Sequence, residues 1–380
     1  MVHVDLFAGG GGFGCGVRAA GFRTVAAVEQ DPHRVGTLKL NHPDANVIHA
    51  DIRDVSGWQL IRTLPRSGGA YRPPDLMTAS PPCVLFSTAG GPARNREDPQ
   101  VWLCLEAVRL AAAVRPRVLL VENVPGFTTR RAGGELVADR LRHDLDAIGY
   151  RNQLEVLLDA ADHGVPQLRK RWFMLASSDM QLSLRAPEPT TSGHPITVAE
   201  AFAGLPEPGE VGYGPGSSRY AELMRDADFW GVDAVRHLTH HEPRTATAAQ
   251  VARYSLVRPG RRVAGLFDRL DTQVVEGLKG AGILPNVPFK QSGVRLHSRR
   301  PSPTVPATAA DRVLHPRDNR SVTVREAARL QSFPDAYQFA GGRMSRYEQI
   351  GDAVPPLLAW RWAEVVRRLL GEPSGTAARA

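Results

Sequence analysis

The stretch from Asp75 to Cys83 constrains the chain more than any other: an apolar run, Leu76-Met77-Thr78-Ala79, stops on Ser80-Pro81-Pro82-Cys83. Two successive prolines fix φ and supply no N–H, so the run cannot continue as a central strand or turn smoothly into a helix. It therefore reads as a buried strand that ends at the carboxyl edge of a sheet, where α/β proteins place their ligands. The residue held there is a thiol. A polar loop follows, Ser87 to Arg96, with glycines for freedom and Arg94 and Arg96 for anions. The expectation is a nucleophile on a stiff pedestal beneath a basic flap. The plainer alternative is a buried cysteine beside a proline turn, the usual fate of a lone cysteine.

The flanking sequence alternates strands with helices. Met1 to Phe7 reads as a strand, and Gly9 to Gly16 turns it into a helix that stops at Gly21. Strands are expected at Thr24–Glu29, Val47–Ala50, Val118–Val121, Leu154–Leu158 and Trp172–Ala176. Between them fall helices from Asp31 (N-cap) and Pro32 (N1) to Leu40, at Val101–Val114 and at Glu135–Ile148. This pattern predicts a parallel, doubly wound α/β sheet over residues 1–185. At Ala186-Pro187-Glu188-Pro189 the composition becomes that of a linker, and residues 186–300 are loop-rich, weakly periodic and dense in arginine and histidine. They are expected to form a small, irregular inserted domain. Residues 301–370 return to regular structure with helices at Val324–Leu330 and Pro355–Leu370, and 371–380 read as a frayed tail.

The net charge of +8 is carried almost wholly by arginine, which suits phosphate forks and base stacking, though GC-rich coding bias would enrich arginine too. Three scattered cysteines without a CxxC pair exclude a disulfide framework and a cysteine-rich zinc site, and point to a reducing cytosol. No apolar run approaches the ~18 residues of a membrane span. His237, His240 and His241 lack acidic or cysteine partners, so they read as surface decoration or as contacts to phosphates or bases, and no metal is expected.

Several residue sets carry chemistry. Gly9-x-Gly11-x-x-Gly14 with Glu29 ending the next strand is a cofactor turn, in which the acid can bind ribose hydroxyls. Nicotinamide and adenosyl-methionine enzymes share it, so the turn leaves both open. Asp51 is placed to meet an adenine amino group, or simply to cap the helix before Val55. Glu122 sits on the same rim as Cys83. Alternation puts Gln167, Arg169 and Arg171 on one face, either as an anion or base clamp or as a solvated strand entry.

Taken together, these stretches resemble the cytosine-5 methyltransferases. The resemblance rests on Asp5-Leu6-Phe7-Ala8-Gly9-x-Gly11-Gly12, Pro81-Pro82-Cys83-x-x-Phe86-Ser87, Glu122-Asn123-Val124 and Gln167-x-Arg169-x-Arg171, in the family's order and approximate spacing. Arg300-Pro301-Ser302-Pro303-Thr304-Val305, the Thr323 to Pro334 stretch and Gln349-Ile350-Gly351-Asp352-Ala353-Val354-Pro355-Pro356 extend it; residues 187 to 295 contribute nothing. It implies a class I, Rossmann-like S-adenosyl-methionine-dependent methyltransferase sheet with the inserted segment as target-recognition domain. Phe7, Gly9, Gly11, Glu29, Asp51, Ile52, Pro81, Ala353 and Val354 would line the cofactor pocket. Cys83 would be the nucleophile, Glu122 would hold and protonate the base, and Arg169 and Arg171 would support it. Ser87, Arg94, Arg96, Asn123 and Gln167 would contact substrate or steady those that do.

The implied activity is methylation of C5 of a flipped cytosine in double-stranded DNA through a Cys83–C6 adduct. A monomer in the bacterial cytosol or nucleoid is expected, with a restriction endonuclease as a separately acting companion. The alternatives are the same chemistry on tRNA, a nicotinamide oxidoreductase, or a catalytically weakened DNA-binding relative. Two departures stand out: Val84 where the family has Gln, and Asp352 where it has Asn. The second would set a negative charge beside a ligand carboxylate unless the site is rebuilt or protonated.

Overall fold

The computed structural model describes residues 1–82, 99–233, 237–287 and 293–371. Its centre is a seven-stranded sheet. We label the strands β1 (Val2–Leu6), β2 (Arg23–Glu29), β3 (Asn46–His49), β4 (Leu76–Ala79), β5 (Val118–Asn123), β6 (Asn152–Asp159) and β7 (Lys170–Ser177). Their order is β6-β7-β5-β4-β1-β2-β3. The chain starts in the middle at β1, moves outward through β2 and β3, and returns to pair β4 on the other side of β1. Two neighbouring parallel strands whose connections leave in opposite directions cannot be covered by one crossover, so a crevice opens at their carboxyl ends. Here it opens between the turn after Leu6 and Ser80-Pro81-Pro82.

One expectation is corrected. The sheet is not wholly parallel, because β7 runs antiparallel to both β5 and β6. β6 enters β7 through a short turn, Ala160–His163, followed by Gly164 at φ 87°, which is too short for a parallel crossover. This has a consequence for the site: the start of β7, not its end, meets the carboxyl rim.

Apolar residues cover both faces of the sheet. One face carries Val2, Val4, Leu6, Met77, Leu119 and Val121 under α3 (Cys104–Val114) and α4 (Val137–Ala147). Against the other lie α1 (Gly12–Ala19) and the last helix, Pro356–Leu369. The two helices nearly touch: a Cβ on Gly16 would come 2.1 Å from the carbonyl oxygen of Pro356. α2 (Pro32–Asn41) begins as expected, with Asp31 accepting from the N–H groups of His33 and Arg34. Helices at Val198–Phe202, Arg219–Arg225 and Ala227–Trp230 add Val198, Tyr220, Phe229 and Trp230 to the same core. A separate cluster gathers Tyr254, Val257, Val263, Leu266, Val275 and Leu284 with Leu314.

Candidate active site

A cleft of about 400 Å³ runs along the carboxyl rim, walled by the turn after β1, the ends of β2, β4 and β5, and the segment Asp352–Val354. That size suits a drug-sized cofactor. Phe7 turns the chain at φ 54°, a left-handed conformation that strains a residue with a bulky side chain. Gly9 follows at φ 56° and donates its N–H to Glu29 Oε2 at 2.8 Å. Glu29 Oε1 accepts from the N–H groups of Gln30 and Asp31, both at 2.8 Å. Backbone donors thus take three of a carboxylate's roughly four acceptor positions, which fixes the group and leaves Oε2 able to accept from a ligand hydroxyl. Asp51 and Ile52 line the same end. Asp51 also caps the turn at Ile52–Asp54 and pairs with Arg53 at 2.6 Å, which holds its carboxyl below the ordinary range.

Toward the other end stands Glu122, 6 % exposed. Because β7 runs antiparallel, Phe173 faces Glu122 and Arg171 lies diagonally on the same face. Arg171 Nε reaches Glu122 Oε1 at 2.9 Å. Burial raises the Glu122 pKa, and the charges of Arg171 and Arg169 offset that rise only in part. This carboxyl is therefore biased toward carrying a proton. Ser80, Pro81 and Pro82 share its wall of the cleft. Asn123 ties the two strand ends together: its amide donates to the Pro81 carbonyl at 3.2 Å and its oxygen accepts from Val124 N–H at 2.9 Å.

Of the residues singled out in the sequence, Phe7, Gly9, Glu29, Asp51, Ile52, Pro81, Glu122, Arg171, Ala353 and Val354 meet in this cleft. Gly11 does not. At φ 82° it faces Tyr337, whose hydroxyl lies 2.2 Å from where a Cβ would stand, so glycine there serves packing beneath the turn. Gln167 and Arg169 share the inward face with Arg171 as alternation requires, but only Arg171 reaches the cleft. Gln167 is buried, bonding the Leu330 carbonyl, Gln331 and the Val305 N–H. Arg169 donates to the carbonyls of Gly351 (2.7 Å) and Ala353 (3.1 Å). Arg169 thus holds the segment that closes the cleft, and Gln167 steadies it one step removed through Gln331, which bonds the Ala353 carbonyl. Cys83, Val84, Ser87, Arg94 and Arg96 lie outside the described residues.

The histidines differ from expectation as well. His241 is buried between Thr323 Oγ1 and the Pro206 carbonyl, and His240 accepts from Phe339 N–H, so this pair is structural and not surface decoration. Sequence reasoning gave no role to Arg34, Gln331 or Asp5. Gln331 donates to the Ala353 carbonyl at 2.7 Å. Asp5 lies under the cleft, bonded to Thr78 at 2.6 Å and pushed up by burial to about 7. Arg34 Nη2 pairs with Asp352 Oδ2 at 2.7 Å, so the charge that replaces the family's Asn is met by a cation. Of the thiols described, Cys15 and Cys104 are buried and pushed up to about 12, which removes both as nucleophiles at neutral pH.

Comparison with known proteins places this geometry in a family. The profile of the C-5 cytosine-specific DNA methylases matches residues 1–368. The chain is 32 % identical to the type II methyltransferase M.DdeI of Desulfomicrobium norvegicum, over 96 % of this chain and 88 % of that one. It is 31 % identical to M1.HphI of Haemophilus parahaemolyticus, over 97 % and 87 %. An Escherichia coli prophage protein described as a DNA modification methyltransferase shares the fold at a TM-score of 0.75 and 22 % identity, covering 98 % of this chain and 100 % of that one. The chain belongs to the C-5 cytosine-specific DNA methylases and is a DNA cytosine-5 methyltransferase.

Proposed function

We propose that the chain methylates a cytosine swung out of double-stranded DNA, with Cys83 as the covalent nucleophile and Glu122 as the acid that grips the base. The observation that carries this reading is Glu122: buried, raised in pKa, clasped by Arg171 and sharing a cleft wall with Pro81 and Pro82.

The residue types follow from the chemistry. Cytosine C5 is a weak nucleophile. The Cys83 thiolate adds to C6, and the C5–C6 π electrons move to give an enamine whose charge would build up toward N3. Glu122, carrying its proton, stabilises that adduct at N3, and Arg171 fixes the carboxyl for the task. S-adenosyl-methionine, when bound, supplies the methyl group to C5 from a sulfonium. A base then takes the C5 proton, the Cys83–C6 bond breaks, and the ring regains its double bond. For the cofactor, the fit rests on the fixed Glu29 carboxylate, the close backbone of Gly9 and Gly10, and the cleft's size. Phe7, Asp51, Ile52, Pro81, Ala353 and Val354 would complete the pocket.

The target atom is buried inside a duplex, so the base must leave the stack. Ser87, Arg94 and Arg96 belong to the segment that would cover it, and residues 186–300 would read the flanking sequence. In support, the Gly260 N–H bonds the Arg295 carbonyl at 2.8 Å, which sets the turn carrying exposed Arg258 and Arg261 against the strand that leads to exposed Arg299 and Arg300. Such a basic surface suits phosphates. The relatives' type II names suggest a restriction–modification setting with a separately acting endonuclease, and a monomer suffices for the reaction.

Bisulfite sequencing of DNA from cells expressing the chain, beside a Cys83→Ala control, tests the reading. One motif protected only in the wild type supports it. Protection that survives in the control removes Cys83 from the mechanism, and a labelled methyl found in tRNA instead removes DNA as the substrate.

A further inference from the structure

The Arg34–Asp352 pair bears on how the cofactor cleft meets a zwitterion; the inference rests on the S-adenosyl-methionine reading above. Glu29, Asp51 and Ile52 occupy one end of the cleft and suit an adenosine. Glu122 and Pro81 mark the wall where the methyl must be presented. What remains is the stretch between them at the turn after β1, lined by Gly9, Gly10, Arg34 and Asp352, and what remains of the cofactor is its amino-acid tail, a carboxylate and an ammonium on one carbon.

The structure builds a matching pair there. Arg34 sits in the first turn of α2, its backbone N–H held by Asp31 Oδ1 at 2.9 Å. Its guanidinium reaches Asp352, a residue 318 positions away, with Nη2 on Oδ2 at 2.7 Å. Nη1 points to the glycine turn, 3.9 Å from where a Cβ on Gly9 would stand. From below, Arg169 holds the carbonyls on either side of Asp352. The side chains of Arg34 and Asp352 remain 26 % and 43 % exposed, so both present unused donors and acceptors to the cleft. Burial works against the Arg34 charge, but Asp352, Glu29 and Asp31 outweigh it and raise its pKa.

We infer that Arg34 takes the carboxylate of the cofactor's amino-acid tail while Asp352 orients Arg34 and accepts from the tail's ammonium. The acid found where the family pattern has Asn is then balanced by the Arg34 guanidinium. A guanidinium offers two donors in a plane, which matches a carboxylate better than a single amide can.

Calorimetric titration with two ligands tests this. S-adenosyl-homocysteine carries the zwitterionic tail, and 5′-methylthioadenosine has the same nucleoside without it. Arg34→Ala should weaken S-adenosyl-homocysteine by roughly tenfold or more, the scale of one charge-assisted hydrogen bond, and leave methylthioadenosine within about twofold. Asp352→Asn should weaken S-adenosyl-homocysteine only a few fold, about the scale of one neutral bond replacing a charged one. Arg34→Lys, which keeps the charge and loses the fork, should fall between. Equal weakening of both ligands by Arg34→Ala would make the pair merely structural and overturn the inference, as would unchanged S-adenosyl-homocysteine binding. If the wild type binds neither ligand, the cofactor reading itself fails and the inference goes with it.

Discussion

Two of the arginine–carboxylate pairs that line the cleft teach different lessons. Glu122 and Arg171 lie 2.9 Å apart on adjacent strands with side chains 8 % and 12 % exposed. Asp352 and Arg34 lie 2.7 Å apart, 43 % and 26 % exposed, and join segments from opposite ends of the chain. The distances are nearly the same, so distance does not separate them. In the first pair burial outweighs the attraction, and the acid is pushed toward its protonated form. In the second, water screens the attraction and leaves the pair free to meet a ligand. Environment suits one carboxyl to the acid's part in the proposed reaction and the other to the proposed charge match.

The sharpest break in that contrast is Glu122→Gln. Removing a positioned acid should slow methyl transfer by about 10²- to 10⁴-fold in single-turnover assays, with cofactor affinity nearly unchanged. The pH profile gives the sign. A raised pKa keeps the proton on Glu122 to higher pH, so the wild-type rate should fall as pH climbs through that value, and Glu122→Gln should lose this alkaline limb. Arg171→Met should cost less, roughly tenfold to a hundredfold, the scale of one charge-assisted bond. Arg171 draws the Glu122 pKa down, so its loss should move the alkaline limb to higher pH.

Arg169→Met probes what holds the second pair in place. It strips a donor from the buried carbonyls of Gly351 and Ala353, and should lower stability by about 1–3 kcal/mol in chemical denaturation. Cofactor affinity should drop with it, and the alkaline limb should move upward in the same direction as for Arg171→Met, because Arg169 also draws the Glu122 pKa down. Asp352→Asn is the gentlest change. An exposed pair contributes about 0–1 kcal/mol, so the melting temperature should scarcely move.

The fold was readable wherever apolar strands end on chemically distinctive residues. Asp31-Pro32 announced α2, and Pro81-Pro82 and Glu122 announced the rim. Short-range pattern could not reveal that β7 runs antiparallel, because the same apolar run serves either direction. Arg171 beside Glu122 follows from that direction. The helix Arg343–Asp352 was missed because its buried positions, Tyr347, Gln349, Ile350 and Gly351, form one short block with little apolar periodicity. Arg34 and Asp352 were invisible as a pair, since no local rule joins residues so far apart. Gly11 misled for the opposite reason: the glycine spacing suggested a ligand, while the left-handed turn and the Tyr337 hydroxyl alone require glycine there.

The central claim is a bond between the Cys83 sulfur and C6 of an extruded cytosine while Glu122 holds the ring. Fluorine at C5 cannot leave as the proton does, so a duplex carrying 5-fluorocytosine at the target should freeze the adduct once the methyl has been transferred. Incubation with S-adenosyl-methionine followed by peptide mass mapping should place the nucleotide on Cys83 in the wild type, slowly on Cys83 in Glu122→Gln, and nowhere in Cys83→Ala. Turnover on ordinary DNA with no adduct on the fluorinated duplex, or an adduct on any other residue, would contradict the account.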